Sequence, residues 1–239
     1  TPELEAAAFA ASTELFALPD EHKLSALSRI APQTNTGYSP FAFENLNRSR
    51  PPDLKEAFNV RAGSGHVTSF AGCPARFETT ALELWEVLVK AARRYALALA
   101  LALGLERDYF ERSLEKMDLC TLRFLHYPPC DGPTEEADGT RAAVRVGEHT
   151  DFGAFTFLLL GEGAVGLQVK KIAGAEVGGA AGGEAGGWLD VETPPRAEGG
   201  AVGAVVNTGA LMARWTNDTW RATAHRVVVP TAVAAATHR

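Results

Sequence analysis

The chain has 239 residues, 46% of them hydrophobic and 22% charged, with a net charge of −6. That is enough apolar material for one sizeable core in a single domain, and the charge has the wrong sign for gripping nucleic-acid phosphates. Three cysteines, Cys73, Cys120 and Cys130, have no paired spacing, which excludes a disulfide framework or zinc ribbon and points to a reducing, cytoplasmic setting. Because the first residue is Thr1 and not Met, an N-terminally shortened chain is expected, with any targeting peptide lying outside it.

Leu4, Ala7, Ala8, Ala11, Leu15 and Phe16 recur at helical spacing within residues 3–29, and Pro19 breaks that helix. Residues 31–60 read as loop, with Asn35-Thr36-Gly37-Tyr38 and the Pro51-Pro52 pair. Thr80-Ala81-Leu82-Glu83 has the form of a capping box for a long helix that stops at Gly104, with Leu84, Leu88, Ala91, Tyr95, Leu99 and Ala102 as its buried stripe. Glu83, Glu86, Lys90, Arg93 and Arg94 leave it short of the roughly 20 apolar residues of a membrane span, so it is a core helix and no membrane partner is expected. His66, in Gly63-Ser64-Gly65-His66, lacks ligand-spaced partners and reads as loop. A strand over Leu119 to Tyr127 sends Arg123, Leu125 and Tyr127 to one face and Phe124 and His126 to the other, and Pro128-Pro129 end it. Asp131 to Gly147 is polar and glycine-rich, an exposed loop by composition.

The stretch from Glu148 through His149, Asp151 and Gly153 to Leu160 carries the chemistry. In an extended strand, residues two apart share a face, so His149 and Asp151 address one atom while Thr150 points away. A third metal ligand has to come from elsewhere, and of the six histidines only His225 sits in a second strand-like run, Trp220 to Pro230. Two imidazoles and one carboxylate are the facial set that leaves one side of Fe(II) open, although zinc accepts the same atoms. An isolated His-x-Asp also occurs as a hydrogen-bonded loop pair. Between Gly166–Val169 and Trp188–Val191 the run 173–187 holds too few large apolar side chains to order itself and reads as a disordered expansion of a hairpin loop. Residues 201–212 supply a buried strand and turn, and 214–218 a further turn.

Four ordered motifs make the chain resemble the isopenicillin N synthase-like branch of the 2-oxoglutarate and Fe(II)-dependent oxygenases. They are Leu122-Arg123-Phe124-Leu125-His126-Tyr127-Pro128-Pro129, His149-Thr150-Asp151-Phe152-Gly153, Val205-Val206-Asn207-Thr208-Gly209, and Thr219-Trp220-Arg221 leading into His225-Arg226-Val227. Gly37-Tyr38 and Asp53-Leu54-Lys55-Glu56-Ala57-Phe58 match the family as well; its usual acidic residue after Asn-x-Gly is Ala210 here. The resemblance implies a mainly β fold with flanking helices and a double-stranded β-helix (jelly-roll, cupin-like) core. Residues 1–117 would form the N-terminal helical and loop region and 118–239 the oxygenase core. It further implies Fe(II) on His149, Asp151 and His225, with 2-oxoglutarate as cosubstrate, O₂ as oxidant and ascorbate as a stimulant. The reaction implied is oxidation, usually hydroxylation, of a small organic molecule by a monomer, with release of succinate and CO₂. By the same resemblance Tyr127 reaches the cosubstrate carboxylate or the substrate.

The far carboxylate of 2-oxoglutarate calls for a planar guanidinium making two parallel hydrogen bonds. Strand alternation sends Arg226 away from the face of His225, and Arg239 is the better candidate: it lies 14 residues past His225, where a returning strand would pass beneath the site, and the resemblance places the family's Arg-x-Ser there, of which this chain has the Arg. Two rival readings use the same residues: an Fe(II) oxidase of the isopenicillin N synthase type that needs no 2-oxoglutarate and leaves Arg239 idle, and a non-catalytic jelly-roll binding module with a vestigial or zinc-filled triad. Phe152, Phe155 and Tyr38 are candidates for a pocket wall and equally for core or loop packing.

Overall fold

The computed structural model describes residues 1–31, 33–63, 65, 68–129, 143–161, 163–171, 187–194 and 202–229. The chain divides into two compact units, Thr1–Pro40 with Glu56–His126, and Phe41–Lys55 with Tyr127–Arg239.

In the first unit, helix α1 (Pro2–Phe16) starts where the Thr1 hydroxyl accepts the Leu4 N–H at 3.4 Å, and a shorter α2 (Asp20–Ser25) follows Pro19. The long helix α3 spans Ala75–Ala102 and ends at Gly104 in the left-handed region, φ +68°. It begins before the expected capping box: Pro74, with its φ already fixed, stands at the N-cap, and Thr80 lies inside the helix. Its buried face is Phe77, Ala81, Leu84, Trp85, Ala96, Leu99 and Ala100, whereas Ala91 and Ala102 of the expected stripe are exposed. Among the described residues no helix is long and apolar enough to cross a membrane.

Residues read as loop within 31–60 hold two strands, β1 (Gly37–Ser39) and β2 (Glu56–Val60), which join β3 (Leu122–His126) in an antiparallel sheet of order β1-β2-β3. Every residue of β2 is buried, so no apolar/polar alternation marks it in the sequence. Phe58 and Phe77 meet edge to face with ring centroids 5.2 Å apart, and Phe77 lies 4.9 Å from Phe124. Such burial is worth about 1.5–3 kcal/mol per large apolar side chain.

One carboxylate is buried in this core. Glu56, 2% exposed, accepts Lys23 Nζ at 3.1 and 3.0 Å, the Tyr38 hydroxyl, and His126 Nδ1–H at 2.7 Å across the β2–β3 register. Tyr38 is therefore a core residue whose hydroxyl is committed, not a pocket wall; burial, helped by Glu56, pushes its proton affinity far up. Burial alone would raise the Glu56 carboxyl, but the hydrogen bonds from His126, Tyr38 and Lys23 and the Lys23 charge hold it below its ordinary value.

The second unit contains β4 (Ala143–His149), β5 (Phe155–Leu158), β6 (Leu167–Lys170), β7 (Trp188–Asp190), β8 (Val205–Thr208), the short helix α4 (Ala210–Trp215) and β9 (His225–Val229). Four strands form an antiparallel sheet in the order β4-β9-β6-β7, and β5 pairs with β8. The expected hairpin across the glycine-rich run is present, with Gln168 opposite Asp190 and Lys170 opposite Trp188; residues 173–186, read as disordered, lie outside the described residues. The end of the stretch read as an exposed loop, residues 143–147, is strand. Arg145 is 1% exposed there, with Nη1 donating to the Tyr127 carbonyl at 2.8 Å. A buried arginine and a glycine hid that strand from composition. Residues 210–215, read as turn, form helix α4; six residues are too few for a periodic signal.

Candidate metal centre

His149 is the last residue of β4 and His225 the first of β9, and the two stand opposite one another in the antiparallel ladder. Their rings lie 4.2 Å apart, centroid to centroid, inclined by 54°. Asp151 is not on the same strand as His149, as alternation had implied, but in the turn before β5. The backbone of that turn is recruited by the β8–α4 corner: Gly209 N–H donates to Ala154 O at 3.0 Å, Ala210 N–H to Asp151 O at 2.7 Å and Leu211 N–H to Gly153 O at 3.2 Å. The approach is so close that a Cβ on Gly209 would stand 2.2 Å from Gly153 O and 2.8 Å from Asp151 O. Backbone atoms cannot swing aside. Gly209→Ala is therefore expected to displace the Asp151 turn, costing about 1–3 kcal/mol of stability and weakening metal uptake; urea unfolding and a metal titration would show both, and unchanged values would refute the wedge.

His149 Nε2 is 3.9 Å and His225 Nε2 3.8 Å from Asp151 Oδ1, too far for hydrogen bonds. The other ring nitrogens are committed: His149 Nδ1–H donates to Gly147 O at 2.8 Å and His225 Nδ1–H to Thr223 O at 2.9 Å. This selects the tautomer with the Nε2 lone pair facing the carboxylate, the arrangement by which backbone carbonyls orient metal-ligating imidazoles. Asp151 Oδ2 is likewise committed, accepting Thr156 Oγ1–H at 2.6 Å and Asn207 Nδ2–H at 2.8 Å. Oδ1 is left to face the two imidazoles. Thr156 and Asn207 are directly opposite in the β5–β8 ladder, which is why both reach one oxygen. Asn207 lay inside a recognised motif but had no role from sequence, and Thr156 had no signal at all, since only strand pairing brings them together.

Burial lowers the His149 pKa and favours the neutral ring. Burial opposes ionisation of Asp151, but the Asn207 and Thr156 hydrogen bonds and the neighbouring imidazoles outweigh it and hold the carboxyl below its usual range. Neutral imidazole and ionised carboxylate are the forms that bind a metal. Among the described residues, His149, Asp151 and His225 are the group of three that converges closely enough to hold an ion, with ligand atoms within 4.8 Å of one another. The donor set fits Fe(II) or zinc.

Tyr127 follows β3, half-buried, with the Arg145 guanidinium 5.7 Å from its ring centre. Arg239 and His66 lie outside the described residues. Arg226 turns to the other face, as alternation requires, where its guanidinium lies 4.1 Å over the Trp188 ring and bonds Gln168. Phe152, beside Asp151, is 87% exposed.

Residues 118–236 match the 2OG-Fe(II) oxygenase superfamily, and residues 1–69 match the N-terminal region of non-haem dioxygenases in morphine synthesis. The chain is 31% identical to the 2-oxoglutarate-Fe(II) type oxidoreductase hxnY of Emericella nidulans over 95% of its own length and 62% of that protein's. It is 30% identical to the 2-oxoglutarate-dependent dioxygenase citB of Monascus ruber, covering 95% of this chain and 67% of the other. Among solved structures, a full-length Neurospora crassa protein in complex with alpha-KG superimposes with a TM-score of 0.70 at 30% identity, covering 95% of this chain and 66% of that one. JOX2 in complex with 2OG, Fe and JA gives 0.76 at 25% identity, covering 100% and 62%. The chain thus spans a little under two thirds of the length of several of these relatives. Sequence motifs, two family matches in chain order, and shared folds converge on one assignment: the chain belongs to the 2OG-Fe(II) oxygenase superfamily.

Proposed function

We propose that the chain is the oxygenase core of an Fe(II)- and 2-oxoglutarate-dependent dioxygenase that oxidises, typically hydroxylates, a small organic molecule and releases succinate and CO₂. The observation that carries the reading is the tying-off of every other polar atom of the triad: both Nδ1 atoms and Asp151 Oδ2 are bonded, so His149 Nε2, His225 Nε2 and Asp151 Oδ1 are the atoms presented together. Iron bound there supplies activation of O₂, with 2-oxoglutarate as the co-oxidised electron source. The protein's share would be to hold the ion through His149, Asp151 and His225, three ligands where more could bind, and to orient the substrate. Tyr127 and Arg239 fix the cosubstrate, Arg239 pairing with the far carboxylate. The core is a jelly-roll with residues 118–239 as the catalytic part, acting as a cytoplasmic monomer. That the Neurospora crassa protein has been crystallised with thymine and JOX2 with JA supports a small-molecule substrate.

The test is succinate formation by purified protein given Fe(II), ascorbate and 2-oxoglutarate without a primary substrate, together with the visible charge-transfer band that 2-oxoglutarate forms with anaerobic Fe(II). Slow succinate release with the band supports the proposal. If both are absent while Fe(II) binds, the 2-oxoglutarate assignment falls and the 2-oxoglutarate-independent oxidase replaces it; a site that takes up zinc alone would support a binding module.

A further inference from the structure

β4 leaves its ladder just before the first ligand. Its register to β9 shifts between Val144 and Val146 and again between Val146 and His149. Backbone groups released by such a bulge need other partners when buried, and bulges beside functional sites re-aim the side chains that follow. Segment 41–55 of the same unit supplies the partners. Leu54 N–H donates to Arg145 O at 2.8 Å, Gly147 N–H donates to Asp53 Oδ1 at 3.3 Å, and Asn47 Nδ2–H donates to Glu148 O at 3.4 Å. The approach requires a glycine, since a Cβ on Gly147 would lie 2.7 Å from the Asn47 Cβ. Gly147 is also the residue whose carbonyl holds the His149 ring.

Asp53 is itself fixed in place. It is 3% exposed; its Oδ2 accepts Lys55 Nζ at 2.7 Å and the Leu46 N–H at 3.3 Å, and Lys55, 4% exposed, lies 3.4 Å from Glu44 Oε2. A buried carboxylate with its own buried counter-ion is costly to desolvate and is weak evidence of stabilisation. Its placement is better explained by what it holds.

We propose that Asp53, with Lys55 as its counter-ion, is a positioning residue for the metal ligand His149: it pins Gly147 in the bulge, so that the Gly147 carbonyl sets the imidazole with Nε2 toward the ion. The inference rests on the ligand role of His149 proposed above. Outer partners of metal ligands are worth about 10–100-fold in metal affinity.

The experiment uses Co(II) alone as a spectroscopic substitute for Fe(II), titrated into the full chain and followed by its visible absorption. The variants are Asp53→Ala, Asp53→Asn and, as a stability control in the other unit, Phe77→Leu. Asp53→Ala should raise the Co(II) Kd by about 10–100-fold. Asp53→Asn, which keeps an acceptor for Gly147 but loses the Lys55 ion pair, should raise it by a smaller factor, while Phe77→Leu lowers the thermal midpoint and leaves Kd unchanged. Asp53 variants that bind Co(II) like the parent, whatever their midpoints, overturn the proposal; if Asp53→Ala does not fold, an unchanged Kd in Asp53→Asn overturns it alone. A parent chain that takes up no Co(II) removes the ligand assignment and this inference together, whereas a binding parent with unaffected variants removes only the inference.

Discussion

Replacing His225 by Ala should bring 2-oxoglutarate turnover to background. His225 is not one of several equivalent donors: its Nδ1 is held by the Thr223 carbonyl, its Nε2 lies 3.8 Å from Asp151 Oδ1, and its ring packs against that of His149. Removing it leaves one imidazole and one carboxylate, and the loss in metal affinity should exceed the about 100-fold that marks the upper end for outer partners. The matched control is Arg226→Ala on the same strand, whose side chain turns to Trp188 and Gln168 and should leave succinate formation intact. Succinate release and Co(II) uptake report the two consequences separately. Parental turnover in His225→Ala would mean that the ion, if any, is held elsewhere.

Removing the Glu56 carboxylate should destabilise the first unit more than any single change at its surface. Glu56→Ala leaves the Lys23 ammonium, 4% exposed, without its buried partner and takes acceptors from Tyr38 and His126. Breaking a buried pair from one side costs about 3–5 kcal/mol, visible as a lower urea midpoint. The pH dependence has a definite sign. The folded-state carboxyl sits below its ordinary value of 4.5, so its stabilisation is present above that value and is lost as pH falls toward the lowered one. The parent chain should therefore lose stability more steeply than Glu56→Gln between about pH 5 and pH 3. Parallel curves for the two proteins over that range would show that Glu56 is not ionised in the folded chain.

The Glu56 cluster also shows where reading residues in line falls short. Gly37-Tyr38 and Asp53 to Phe58 were legible as segments that match the family, yet nothing local marked Tyr38 as a core donor, because its acceptor Glu56, which also takes Lys23 and His126, is brought to it only by the β1-β2-β3 sheet. The same limit misplaced the start of α3. A capping-box pattern at Thr80 is a local signal, and the packing of Phe77 against Phe58 and Phe124 carries the helix back to Ala75.

By itself the sequence determined which side chains could bind a metal, since His149, Asp151 and His225 are set by residue type, by spacing and by the strand-like run around His225. It also determined the family and the β6–β7 hairpin, because both are carried by local pattern. Only the tertiary structure decided how the triad is held. The turn that carries Asp151 is pinned by the β8–α4 corner, Thr156 and Asn207 meet on one oxygen through the β5–β8 pairing, and a buried Asp53 reaches Gly147 from a distant segment. Ligand identity follows from side-chain chemistry at known positions, whereas ligand orientation depends on hydrogen bonds between residues far apart in the chain, which strand pairing and burial alone bring within reach.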